Sequence, residues 1–197
     1  MLNKTFKLVT VFMVILLVLG LTLVACTKQK PAETEQPSAP PAQQAEGPKL
    51  SFKAKTYTDK ENGFSIQYPD SWVERPEIAK GTLIIAFGVP AFVPGVSISI
   101  RDADVPLTAD WVVAANTAEG NTEVKVTSEL KETTLADGTP AIEYASSFKS
   151  GVYDIVSFAV STDKNGKRIR ATVWTIDSFS PYDEAKFSEI ARTLSVK

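Results

Sequence analysis

The chain has 197 residues, with 21 basic and 23 acidic side chains, a formal net charge of −2, one cysteine and no histidine. A near-neutral, slightly acidic chain is poorly suited to nucleic acid or to an anionic membrane surface, so no nucleic-acid partner is expected. The missing histidine removes Ser-His-Asp and Cys-His catalysis and every His-containing metal site.

At the start, Lys4 and Lys7 precede residues 8–25, which are 18 residues without a charge and end in Leu23-Val24-Ala25, directly before Cys26. This apolar-small-Cys ending resembles the lipobox of bacterial lipoproteins. The resemblance implies that residues 1–25 are a signal peptide cleaved after Ala25 and that acyl chains such as palmitate are carried at Cys26. The alternative is an uncleaved transmembrane anchor, since the run is just long enough to span a bilayer. Either reading puts the rest of the chain on the extracytoplasmic side of the cell membrane, with the membrane itself as the first partner.

Residues 26–49 read as the lipidated cysteine and a disordered linker. Pro31, Pro37, Pro40, Pro41 and Pro48 are spread along it, and its other apolar residues are alanines. Such a segment buries too little surface to offset the entropy of ordering it. In a polyproline II conformation its 23 residues after Cys26 would reach up to ~70 Å at ~3.1 Å each.

Residues 50–197 form the expected folded domain, 148 residues with 16 basic and 20 acidic side chains, hence a net charge of −4. With Cys26 lipidated, no thiol is left for a disulfide, and the core must hold by packing.

Alternation at period two dominates this region. Phe64, Ile66 and Tyr68 alternate with Ser65 and Gln67 after an Asn62-Gly63 turn. Tyr68-Pro69 ends that strand, Asp70-Ser71 suits a turn, and Trp72 is expected to fold back as a lid on the core. Residues 83–87 form a continuous apolar run, as a strand covered on both faces would. Val96, Ile98 and Ile100 alternate with Ser97, Ser99 and Arg101, and Val124 and Val126 begin another strand. Asp137-Gly138 and Asn165-Gly166 mark two hairpin turns, into residues 141–148 and between residues 152–160 and 169–176.

Two stretches carry a helical period instead. In residues 108–120, Thr108 caps the start, Asp110 sits in the first turn and Gly120 terminates, with Trp111, Val112, Ala115 and Ala118 as the apolar stripe. Near the end, Ser180-Pro181 reads as a cap followed by proline at the first helical position, ahead of a stripe of Phe187, Ile190, Ala191 and Leu194. Hairpin-linked strands interrupted by two helices predict an α+β fold with a central antiparallel β-sheet.

Tyr57, Gly63-Phe64-Ser65-Ile66, Tyr68-Pro69 and Trp72 together resemble the opening of the PsbP-like superfamily. Asp137-Gly138-Thr139-Pro140-Ala141 is similar to a mid-domain hairpin of its bacterial members, and Phe187 to Val196 to their closing helix and last strand. The resemblance implies a sheet flanked by helices, an α/β/α sandwich. It also implies a mostly non-enzymatic role, since members include an extrinsic photosystem II subunit, a partner of a small nuclear GTPase and bacterial lipoproteins. The lipobox and linker look like the bacterial group, so no photosynthetic role is carried over, and no family active-site residue exists to transfer.

The domain shows no GxSxG, Walker-type loop or GxGxxG motif, no catalytic constellation and no cofactor signature. Asp102 with Asp104, or Asp59 with Glu61 and Asn62, could hold a hard cation but lack EF-hand spacing, so no metal site is assigned. The candidate binding face is Arg168, Arg170 and Trp174, which share one strand face with Thr172. Two guanidinium groups beside an indole suit a carboxylate, a phosphate or an acidic partner. The more ordinary reading is an exposed or edge-facing strand whose arginines pair with neighbouring acids across the sheet. The loop of residues 87–95 carries Phe87 and Phe92 and would either touch a partner or plug the sheet.

These features predict a non-catalytic, membrane-anchored binding or assembly module. The alternative is a carrier of small amphipathic or lipid-like ligands, with Trp72, Phe87, Phe92 or Trp174 lining its pocket. A hydrolase would need a nucleophile and base brought together in a cleft.

Overall fold

A computed structural model describes residues 49–90 and 93–197, all within the folded unit Ala45–Lys197. The alternating segments become strands, and every pairing among the described strands is antiparallel. The large sheet has the order β3 (Val73–Glu74), β4 (Leu83–Gly88), β5 (Gly95–Asp102), β10 (Lys167–Ile176), β9 (Tyr153–Lys164), β8 (Pro140–Ser150) and β6 (Thr122–Val126), with β7 (Lys131–Thr134) also on β8. A second sheet of three strands runs β1 (Ala54–Asp59), β2 (Phe64–Pro69), β11 (Ser195–Val196).

The second sheet is what the period-two signal does not reveal. β1 is mostly exposed and β11 is two residues long, so neither carries the apolar alternation that announces a strand. β7, with the sequence KETT, escapes for the same reason. The turns are as their residues require. At the β9–β10 hairpin Asn165 and Gly166 both have positive φ, 51° and 74°, the combination that lets a two-residue loop follow the twist of its strands.

Helix α1 spans Ala109–Ala118 and begins where Thr108 accepts from the Trp111 N–H at 3.1 Å. Its buried stripe differs by one position from the sequence reading: Asn116 is buried and Ala118 exposed. Burying Asn116 is tolerated because its side-chain amide donates to the Val112 carbonyl at 2.8 Å. Helix α2 spans Glu184–Ala191 and is capped by Asp183, which accepts from Lys186 N at 3.1 Å. Ser180 is not the cap. Its carbonyl accepts from the Thr175 hydroxyl at 2.9 Å and its own N–H is spent on Ile176, so it closes the turn after β10.

Successive residues of a strand point to opposite faces, and β10 shows what lies on each. Ile169, Ala171 and Val173 join the main core with Phe64, Ile66 and Trp72, and with Phe187, Ile190 and Leu194 from α2 and the residues after it. Trp72 is fully enclosed there, and its N–H closes the turn onto Pro69. On the other face a smaller cluster joins Val112 of α1 to Tyr144 of β8 and Ala159 of β9. The buried arginines Arg168 and Arg170 of β10 sit on this second face.

Candidate functional site

β10 is an interior strand, hydrogen-bonded to β5 on one side and β9 on the other. Arg168 and Arg170 are therefore neither at a sheet edge nor in solvent, being only 1% and 4% exposed. A buried guanidinium needs a counter-charge and hydrogen bonds, and each finds them differently.

Arg168 is held by structural partners through Nε and Nη2, while its buried Nη1 finds none. Its Nε and Nη2 grip the two carboxylate oxygens of Asp163, the residue opposite it on β9, each at 2.7 Å. Nη2 also donates to the Val105 carbonyl at 2.9 Å, and the guanidinium lies 4.5 Å from the centre of the Trp111 ring. Trp111 and Val105 thus roof this arginine, a cation–π arrangement that favours the charge where water is excluded.

Arg170 turns towards the C-terminal end of α1. Its Nε donates to Ser99 on β5 at 3.1 Å and its Nη2 to Glu119 Oε1 at 2.7 Å. The same oxygen accepts from Arg101 at 2.9 Å, and Arg101 also donates to the Ala115 carbonyl at the helix end. One carboxylate therefore sits between two guanidinium groups. Desolvation works against the Arg170 charge, yet the Tyr144 hydroxyl and the Glu119 carboxylate beside it outweigh that and raise its pKa above the ordinary value.

Beyond this cluster α1 ends, and the sheet face is left open as a cavity of about 210 Å³. Arg170, Thr172 and Trp174 of β10 line it together with Ser97, and Glu119 and Asn116 close the end nearest α1. Leu83, Phe148 and Ile155 supply apolar wall. Three of the four residues on the sequence-predicted strand face are thus brought to one cavity, while Arg168 is sealed off from it. The helix-end residues Glu119 and Asn116 escape the sequence reading, because only the packing of α1 against the sheet brings them to β10.

The remaining sequence candidates lie elsewhere. Trp72 and Phe87 belong to the core on the opposite face, where Phe87 stacks on Tyr68 with ring centres 4.0 Å apart. Phe92 lies outside the described residues, as do Cys26, the leader and residues 26–48 of the linker. Asp59 spends its carboxylate on the N–H groups of Glu61 and Asn62, and Asp102 pairs with Lys167 at 2.6 Å. Among the described residues no group of three or more Cys, Asp or Glu is placed to hold a metal ion.

No family model and no curated protein matches this sequence. Solved structures do. The solution structure of cyanobacterial PsbP (CyanoP) from Synechocystis sp. PCC 6803 is similar with a TM-score of 0.56 at 17% identity, over 80% of this chain and 100% of that one. The Ran-binding protein Mog1p of Saccharomyces cerevisiae gives 0.49 at 10% identity, over 74% and 96% of the two chains. The Pseudomonas aeruginosa protein PA94 gives 0.42 at 18%, over 73% and 97%. The likeness to CyanoP supports a PsbP-like, sheet-dominated and antiparallel fold for this chain, in line with the motifs at its opening and close.

Proposed function

We propose that this chain is an extracytoplasmic, lipid-anchored binding module without catalytic activity, and that it holds a small amphipathic ligand in the cavity on β10. The anchor is Cys26, followed by the linker that carries the folded unit away from the membrane. In this reading α1 and α2 are the outer layers of an α/β/α sandwich about the large sheet, and α1 bounds the cavity through Asn116. The observation that carries this reading is the cavity itself, in which an arginine only 4% exposed meets an indole and aliphatic wall. Concave, mostly apolar sites with a few converging polar groups are the usual form of small-ligand sites.

Docking of a protein partner is the second reading. Val152 and Phe179 are 86% and 66% exposed, and Phe179 meets Tyr153 edge-on with ring centres 6.2 Å apart. Exposed apolar clusters of this kind mark interaction surfaces.

Two experiments test the proposal. Native mass spectrometry of the full chain from its own envelope should show a co-purifying small molecule, and a clean apo mass together with a crosslinked protein partner would favour docking. Cys26→Ser should leave an unprocessed, lipid-free precursor, and normal processing of that variant would remove the anchor from the proposal.

A further inference from the structure

The balance of charge and space in the cavity narrows what it can hold. Among the described residues the only carboxylate lining it is Glu119, and Glu119 Oε1 is claimed by both Arg101 and Arg170. Two guanidinium groups against one carboxylate leave a net charge of +1 at the inner end of an otherwise neutral cavity.

Arg170 also has donors to spare. Of the five N–H groups an arginine carries, one is used on Ser99 and one on Glu119. A second carboxylate is the natural partner for what is left, since carboxylate–guanidinium hydrogen bonds are about twice as strong as neutral ones.

Size sets the other limit. A cavity of about 150 Å³ accommodates benzene, and this one measures about 210 Å³. The difference is room for a carboxylate and a short stem.

Resting on the binding-module reading, we infer that the cavity takes a small organic monocarboxylate with an aryl or branched aliphatic body. The carboxylate lies on Arg170, and the body packs against Trp174, Ile155 and Leu83. Ser97 and Thr172 offer hydroxyls to the stem, and Trp174 supplies a flat apolar surface with little rotamer entropy to lose.

The test uses the full chain in lipid nanodiscs, labelled with 5-fluorotryptophan, whose three tryptophans report separately by fluorine NMR. The probes are 3-phenylpropionate, its neutral amide 3-phenylpropanamide and the cationic 3-phenylpropylamine. The expected result is a saturable shift of the Trp174 resonance with the carboxylate, at least ~10-fold weaker binding of the amide, and no response to the amine, as loss of a charge-assisted hydrogen bond requires. The Trp72 resonance, buried in the opposite core, should stay still. Arg170→Met should erase the preference for the carboxylate. Thr172→Phe, which fills the cavity while keeping the arginine, should abolish binding of all three probes, and it keeps the test decisive if Arg170→Met does not fold. Equal binding of acid and amide, or preference for the amine, overturns the monocarboxylate while leaving a ligand cavity in place. No Trp174 response to any probe overturns both the ligand class and the cavity as a binding site.

Discussion

The Trp174 indole lies directly over Gly95, its register partner on β5, so closely that a Cβ on residue 95 would come within 2.7 Å of the ring. The same Cβ would meet the Phe87 carbonyl at 2.9 Å. Glycine is required here by contact with a side chain and a backbone on two sides, and it lets the indole settle as the floor of the cavity.

Gly95→Ala should therefore destabilise the domain by about 1–3 kcal/mol, the usual penalty for overpacking a filled site. The displaced indole should also change the near-ultraviolet circular dichroism, whereas the far-ultraviolet spectrum stays. Urea denaturation measures the first effect, and an unchanged midpoint would mean that the indole has room to move aside.

The cluster around Glu119 makes an asymmetric prediction. Glu119→Ala strips Arg170 of its ion-pair partner while leaving it buried, and should cost about 3–5 kcal/mol, as breaking a buried pair does. Arg170→Met removes the buried cation itself and leaves Glu119 its bond to Arg101, so its cost should be smaller. Chemical denaturation of the two variants side by side decides it. Equal losses would mean that Arg170 is satisfied without the carboxylate.

Asp137 connects the β7–β8 turn to the last strand, accepting from Thr139 N and Val196 N, each at 2.9 Å. Partial burial opposes its ionisation, but these bonds and one from Ser195 outweigh burial and bring its pKa down from 3.8 to about 2. Because the folded value is the lower one, its contribution is present above 3.8 and is lost as the pH falls to about 2. Discounted for its exposure to solvent, that contribution is about 1 kcal/mol. Asp137→Asn should melt below the parent protein at pH 6, and the gap should close near pH 2. A gap that persists at pH 2 would show that the charge is not what holds the strand.

Much of the frame is legible in the residues. Alternation announces β2, β5 and the long hairpin of β9 and β10, and a continuous apolar run announces β4, because each buries at least one face of apolar side chains. β1, β7 and β11 are silent because pairing, rather than burial, makes them strands. The start of α2 misleads for a related reason. Ser180 and Asp183 are both good caps, and only the hydrogen bond from Thr175 to the Ser180 carbonyl removes the first from use.

At the candidate site the same division holds. Period two alone places Arg168, Arg170, Thr172 and Trp174 on one face, since the pleat leaves no other choice. Whether that face meets water, a helix or a ligand depends on β10 lying inside the sheet and on where α1 stops. α1 covers Arg168 with Trp111, brings Glu119 to Arg170, and ends before Thr172 and Trp174. Which side chains share a face is readable in the residues, because that follows from covalent geometry. Which of them are sealed and which line a cavity comes from packing, because burial is a property of the elements that lie across them.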